Sequence, residues 1–107
     1  QNKLTRSDNK INRKGFNYTQ KNEILEKQDF KDPITGEYLD KIFNPYDFDH
    51  IDGNCGNNET SNGQALSLTI HRIKTENPAY YNRLKNNPQE KKYFLSKRKE
   101  IIFGNNL

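Results

Sequence analysis

Polar residues dominate this chain, so its few clustered apolar positions mark where ordered elements must lie. Ile24 and Leu25 sit as a pair in a polar window, and Thr19 ahead of them can cap a helix over about 20–28. Asp32-Pro33-Ile34-Thr35-Gly36-Glu37 is turn chemistry, because Pro fixes φ and Gly permits φ > 0. Tyr38-Leu39 and Ile42-Phe43 then predict a first strand, Asn44-Pro45 a turn, and Tyr46 to Ile51 a second strand. In that second strand Tyr46, Phe48 and His50 share one face, while Asp47, Asp49 and Ile51 share the other. Asp52 to Gly63 is Gly, Asn, Ser and Thr with almost nothing apolar, which predicts a long loop. Ser67 caps a helix of about 68–76, with Leu66, Ile70 and Ile73 facing the core and His71, Lys74 and Thr75 on a neighbouring face. Asn77-Pro78 and Asn87-Pro88 each pair a cap with a first-turn proline, predicting helices near 78–86 and 88–103. Tyr80, Tyr81 and Leu84 would pack the first of these, and Tyr93, Phe94, Leu95, Ile101, Ile102 and Phe103 the second.

Composition limits what these elements can build. A chain of 107 residues makes one domain, and with 30% hydrophobic and 30% charged residues its core is small. Such a domain is marginal on burial alone and is expected to lean on a metal or on the rest of a larger parent protein. The first residue is Gln1 rather than Met, which fits an excised or processed fragment. There is neither an apolar run near ~20 residues nor a signal-peptide pattern, so no membrane partner is expected. A single Cys55 excludes an internal disulfide and a Cys-only zinc site.

Charge is distributed unevenly. Residues 1–28 carry seven Lys/Arg against three Asp/Glu, residues 29–75 four against eight, and residues 76–107 seven against three. An acidic centre suits a cation, and basic flanks suit a polyanion lying across it. Residues 1–18 read as a basic arm or linker: Lys3, Arg6, Lys10, Arg13 and Lys14 precede Phe16 and Tyr18, a composition that tracks a phosphate backbone or simply keeps a linker soluble. Residues 19–107 form the folded domain, with its core at about 34–76 and a helical extension at 77–107.

The candidate chemistry lies at the seam of these elements. Asp49-His50-Ile51-Asp52-Gly53-Asn54, then Asn57-Asn58, Asn62, and finally His71-Arg72-Ile73-Lys74-Thr75 place carboxylate, imidazole and amide groups in a fixed order. That order resembles the HNH nucleases of the ββα-metal fold, particularly HNH homing and restriction endonucleases, over about residues 20–76. The resemblance implies an α+β fold: a β-hairpin plus helix, preceded by a short helix and followed by C-terminal helices. It implies Asp49 and His71 as ligands of one divalent cation, Mg²⁺ first, with Mn²⁺, Ni²⁺ or Zn²⁺ as the other ions such a pair tolerates. His50 would be the general base, since imidazole is available in its neutral form near physiological pH. Asn62 would tie the loop to the hairpin and so aim His50, although Asn54, Asn57 and Asn58 offer the same side chain nearby. Arg72 and Lys74 are the expected phosphate contacts. Many HNH domains hold a zinc on paired CxxC motifs; here the first of those positions is Asp32 to Glu37, so no structural zinc is expected.

The implied reaction is one-metal hydrolysis of DNA, double-stranded in the first instance, leaving 5′-phosphate and 3′-hydroxyl ends. One site cuts one strand, so double-strand cleavage would need a homodimer or a second nuclease domain. The implied setting is the cytoplasm of a bacterial or phage-infected cell. Ideal strand alternation puts Asp49 and His50 on opposite faces, so the strand must twist, bulge or end near His50 if both are to reach one phosphate. Asp52 before Gly53 reads as a turn residue first and as a water-mediated ligand second. The Lys91-Lys92 and Lys97-Arg98-Lys99 clusters read as the solvated face of a helix or as a DNA-facing surface. An EF-hand fails on register, because counting back from Gly53 gives Asp52, His50 and Phe48. A non-catalytic DNA-binding module with a structural metal is the rival reading.

Overall fold

The computed structural model describes residues 15–103, with side chains through Arg98; residues 1–14, and with them most of the expected arm, lie outside the described residues. The described chain is α+β. Its elements are helix α1 (Tyr18–Lys27), strand β1 (Tyr46–His50), a 3₁₀ turn (Thr60–Asn62), strand β2 (Gly63–Ser67), and helices α2 (Leu68–Glu76), α3 (Pro78–Asn86) and α4 (Pro88–Phe103). No described helix is long and apolar enough to cross a membrane.

Helix α1 begins earlier than the sequence suggested, because Asn17 rather than Thr19 caps it. Asn17 Oδ1 accepts from Gln20 N at 2.8 Å, and Gln20 Oε1 accepts from Asn17 N at 3.0 Å, a reciprocal capping box. The folded unit therefore takes in the end of the expected arm, and Phe16 is buried in its core. Pro78 and the Asn77 cap start α3, and Ser67 starts α2 by accepting from Ile70 N, as the sequence suggested.

The hairpin differs from the sequence expectation. Strand β1 pairs antiparallel with β2, from Tyr46↔Ser67 to His50↔Gly63, so the Asn-rich loop lies inside the hairpin and β2 leads straight into α2. The expected strand at Tyr38–Phe43 is not one: only the isolated bridges Lys31↔Tyr38 and Asp40↔Asn44 form there. Asp40 Oδ2 accepts from both Ile42 N and Phe43 N at 2.8 Å, which closes a side-chain turn and leaves Ile42 and Phe43 exposed. Strand β2 escaped detection for a packing reason. Ala65 faces a cluster of Phe16, Ile24, Leu25 and Leu39, while its neighbour Leu66 faces a second cluster of Ile34, Ile70, Tyr81 and Leu84. A strand covered on both faces loses the alternation by which strands are recognised.

Two side chains and a glycine tie this small core together. The Asp32 carboxylate, 1% exposed, accepts from Ile34 N (2.7 Å) and Thr35 N (2.9 Å) through Oδ1, and from Ser67 N (2.8 Å) through Oδ2. It thus pins the turn at 32–37 to the junction of β2 and α2. Gln28 pairs with the open edge of β2 as a peptide group would, its Oε1 accepting from Ala65 N and its Nε2 donating to Ala65 O. Gly63 lets α1 approach: a Cβ there would collide with the Ile24 side chain and stand 3.0 Å from Phe16 Cζ. On α4, Arg98 pairs with Glu37 at 2.7 Å and Phe94 packs half-buried, whereas Tyr93 is exposed. The side chains of Ile101, Ile102 and Phe103 lie outside the described residues.

Candidate metal and phosphate site at the end of strand β1

Strand alternation sends Asp47 and Asp49 of β1 toward α2, and the helical spacing of α2 brings His71 and Lys74 to meet them. His71 Nε2 stands 3.5 Å from Asp49 Oδ1, and His71 Nδ1 stands 3.2 Å from Asp47 Oδ2. Lys74 Nζ donates to Asp49 Oδ2 at 2.6 Å and to the backbone oxygen of His50 at 2.8 Å. Gln64 Nε2 donates to the same Asp49 Oδ2 at 2.9 Å and lies 3.4 Å from the Tyr81 hydroxyl. Burial of that hydroxyl, foremost, raises the Tyr81 pKa above its ordinary value, which keeps it a neutral partner.

These contacts give the two oxygens of Asp49 different work. Oδ2 is held by Lys74 and Gln64, while Oδ1 faces His71. If His71 donates from Nδ1 to Asp47, its Nε2 lone pair points at the Oδ1 lone pairs, and two acceptors face each other across 3.5 Å. Such a pair is satisfied by a proton or by a cation between them. The gap is less than twice a metal–ligand distance of ~2.0–2.3 Å, so one ion can reach both atoms. Among the described residues there is no group of three or more His, Cys, Asp or Glu placed to hold an ion. The Asp49–His71 pair thus offers two facing donor atoms that one ion could span. Asp47, which the sequence placed only on a strand face, is the carboxylate behind the histidine.

His50 stands across the strand from this pair, as alternation requires. Strand β1 ends at His50, and no bulge reverses the side chain. Its ring stacks on Phe16 with centroids 4.7 Å apart, and Gly15 packs against its edge at a φ of 100°. Its Nε2 lies 2.8 Å from Asn58 Oδ1. With Asn58 presenting its carbonyl oxygen, Nε2 carries the proton and Nδ1 keeps the lone pair. The asparagine touching the imidazole is thus Asn58, not Asn62.

Asn62, buried, holds the loop instead. Its Oδ1 accepts from Asp52 N at 3.1 Å, and its Nδ2 donates to Asp52 Oδ1 (3.0 Å) and Asn57 O (2.9 Å). Asp52 is the turn residue: the Asn57 side chain first, then the Asn54 backbone N–H and the Asn62 side chain, hold its carboxyl below the ordinary carboxylate value. Gln20 joins α1 to this loop by donating to Asn58 O at 2.8 Å.

Both imidazoles line the free edge of β1. A cleft of about 580 Å³ runs along it, lined on one side by Asp47 and His71 and on the other by Gly15, Phe16, Tyr18, Lys21 and His50, with Lys41, Pro45, Tyr46 and Phe48 completing it. Of the expected phosphate contacts, Arg72 is exposed on α2, whereas Lys74 is engaged with Asp49 and the strand end. No family model, no curated protein and no solved structure matches this chain.

Proposed function

We propose that this chain is a metal-dependent endonuclease domain that hydrolyses DNA phosphodiester bonds, of the HNH kind its motif resembles. The observation that carries the reading is the facing of Asp49 Oδ1 and His71 Nε2 across 3.5 Å, with His71 and His50 lining one cleft. Asp49 and His71 would hold the cation, and Lys74 and Gln64 keep the second Asp49 oxygen from turning away. When bound, a divalent cation there supplies charge neutralisation at a scissile phosphate and at its leaving oxygen. Asp47 fixes the His71 ring so that Nε2 faces inward.

His50 takes the proton of the attacking water at Nδ1. Asn58, accepting from Nε2–H, holds the ring in that tautomer and favours the imidazolium that forms. Stacking on Phe16 limits ring rotation. The loop that carries Asn58 is itself fixed by Asn62, so the positioning role expected of Asn62 acts through Asp52 and Asn57. A single site cuts a single strand, and cutting both requires a second copy or a further domain.

Supercoiled plasmid incubated with the domain in Mg²⁺ or Mn²⁺ tests the reading. Open circles with 5′-phosphate ends are expected from the wild type, and a loss of about 10²–10⁴-fold in His50→Ala, the usual contribution of a general base. Duplex bound without nicking in either metal would instead favour a non-catalytic DNA-binding module.

A further inference from the structure

The cleft at the free edge of β1 has features that the metal and base residues do not use. Lys21 projects from α1 with its ammonium 5.4 Å from the centre of the Phe48 ring, and Lys41 reaches in from the turn before β1. Among the described residues neither lysine has a carboxylate within 4.0 Å, whereas Lys74 has Asp49 at 2.6 Å. The Tyr18 ring, 78% exposed, and the half-buried Tyr46 and Phe48 stand in the same cleft. Asp47, the acid lining it, already has His71 as its partner.

The strand geometry says why this cleft matters. His50 and the Asp49–His71 pair lie on opposite faces of β1, and β2 closes its other edge. A phosphate can reach both imidazoles only across the open edge, where His50 and His71 line one surface. Any polymer presenting that phosphate must therefore run along the cleft, past the ammonium groups of Lys21 and Lys41. Cations without a carboxylate partner, set beside the exposed Tyr18 ring, form a surface that tracks a phosphodiester backbone.

The geometry points to Lys21 and Lys41 as the residues that hold the nucleic-acid backbone on either side of the reacting phosphate, the role expected of Arg72 and Lys74 from the motif. This deepens the nuclease reading and rests on it. It also assigns part of the substrate grip to α1 and to the turn before β1.

The test is the salt dependence of duplex binding, read by fluorescence anisotropy in EDTA so that no cleavage intervenes. Removing one phosphate-bound ammonium lowers the slope of log K against log salt by about 0.9 on duplex DNA, so Lys21→Ala/Lys41→Ala should reduce it by about 1.8. The pair Lys91→Ala/Lys92→Ala on α4, equal in charge removed, should leave the slope within about 0.3 of wild type. None of the four lysines is buried, so both variants keep the fold, which circular dichroism verifies. An unchanged slope in the cleft variant, an equal drop in both variants, or no duplex binding by the wild type overturns the inference. The two claims separate cleanly: plasmid nicking with an unchanged slope sinks the lysine track alone, and a reduced slope without nicking sinks the nuclease reading alone.

Discussion

Replacing Asp32 by alanine removes the acceptor of three backbone N–H groups at once. Those of Ile34 and Ser67 are buried, at 2.7 and 2.8 Å from the carboxylate, and that of Thr35 is half-buried at 2.9 Å. Each buried donor left without a partner costs about 1–3 kcal/mol, while the Thr35 donor recovers most of its loss to water. The two buried donors together set an expected loss of about 3–5 kcal/mol, against the roughly 5–15 kcal/mol that holds a whole domain. With an m-value of about 1–2 kcal/mol per molar urea, the unfolding midpoint should fall by about 2–3 M. Far-UV circular dichroism in a urea titration reads this directly. Asp32→Asn keeps one acceptor oxygen and should lose about half as much. A midpoint within about 0.3 M of wild type for the alanine variant would show that Asp32 does not pin the start of α2. The effect reaches the site, because Ser67 caps the helix that carries His71.

Other consequences follow from the same contacts. Asp47→Asn should weaken Mn²⁺ binding by about 10–100-fold in isothermal titration with an unchanged dichroism spectrum, since the carboxylate behind a metal-binding histidine sets its tautomer and basicity. Asp52 has its folded pKa lowered, so its contribution to loop order is fully present above the ordinary carboxylate value and is lost as pH falls through the lowered one. The protection factor of the Asn54 amide should therefore fall only in that acid range, and Asp52→Asn should abolish the step. Gly63→Ala should cost about 1–3 kcal/mol through overpacking against Ile24 and Phe16, and Ile24→Val in the same chain should recover part of it by thermal melt.

Much of this architecture was readable because capping and turn residues act locally. Ser67, Asn77-Pro78 and Asn87-Pro88 set helix starts with chemistry confined to a single turn. Asp49 and His71 were legible as a pair from motif order alone. What escaped depends on contacts distant in sequence. Strand β2 has no alternating pattern because both of its faces are covered, and the Tyr38–Phe43 stretch has strand-like residues that a side-chain turn at Asp40 diverts. Asn58 could not be chosen over Asn54, Asn57 and Asn62 from an Asn-rich loop, since only the folded loop brings it to His50. Gln28 looks like an ordinary surface residue, and Asp32 like a local turn residue, until Ala65 and Ser67 come within reach. The expected bulge that would turn Asp49 and His50 inward together is not there: alternation holds to the end of β1 and leaves the two side chains on opposite faces.

In the proposed site Asp49 and His71 hold one divalent cation and His50 does not. Mn²⁺ titration followed by electron paramagnetic resonance measures it without reliance on cleavage. A single bound Mn²⁺ is expected in the wild type and in His50→Ala, and a loss of at least about tenfold in affinity in His71→Ala, where a proposed ligand is gone. Equal Mn²⁺ affinity in the wild type and His71→Ala would contradict it.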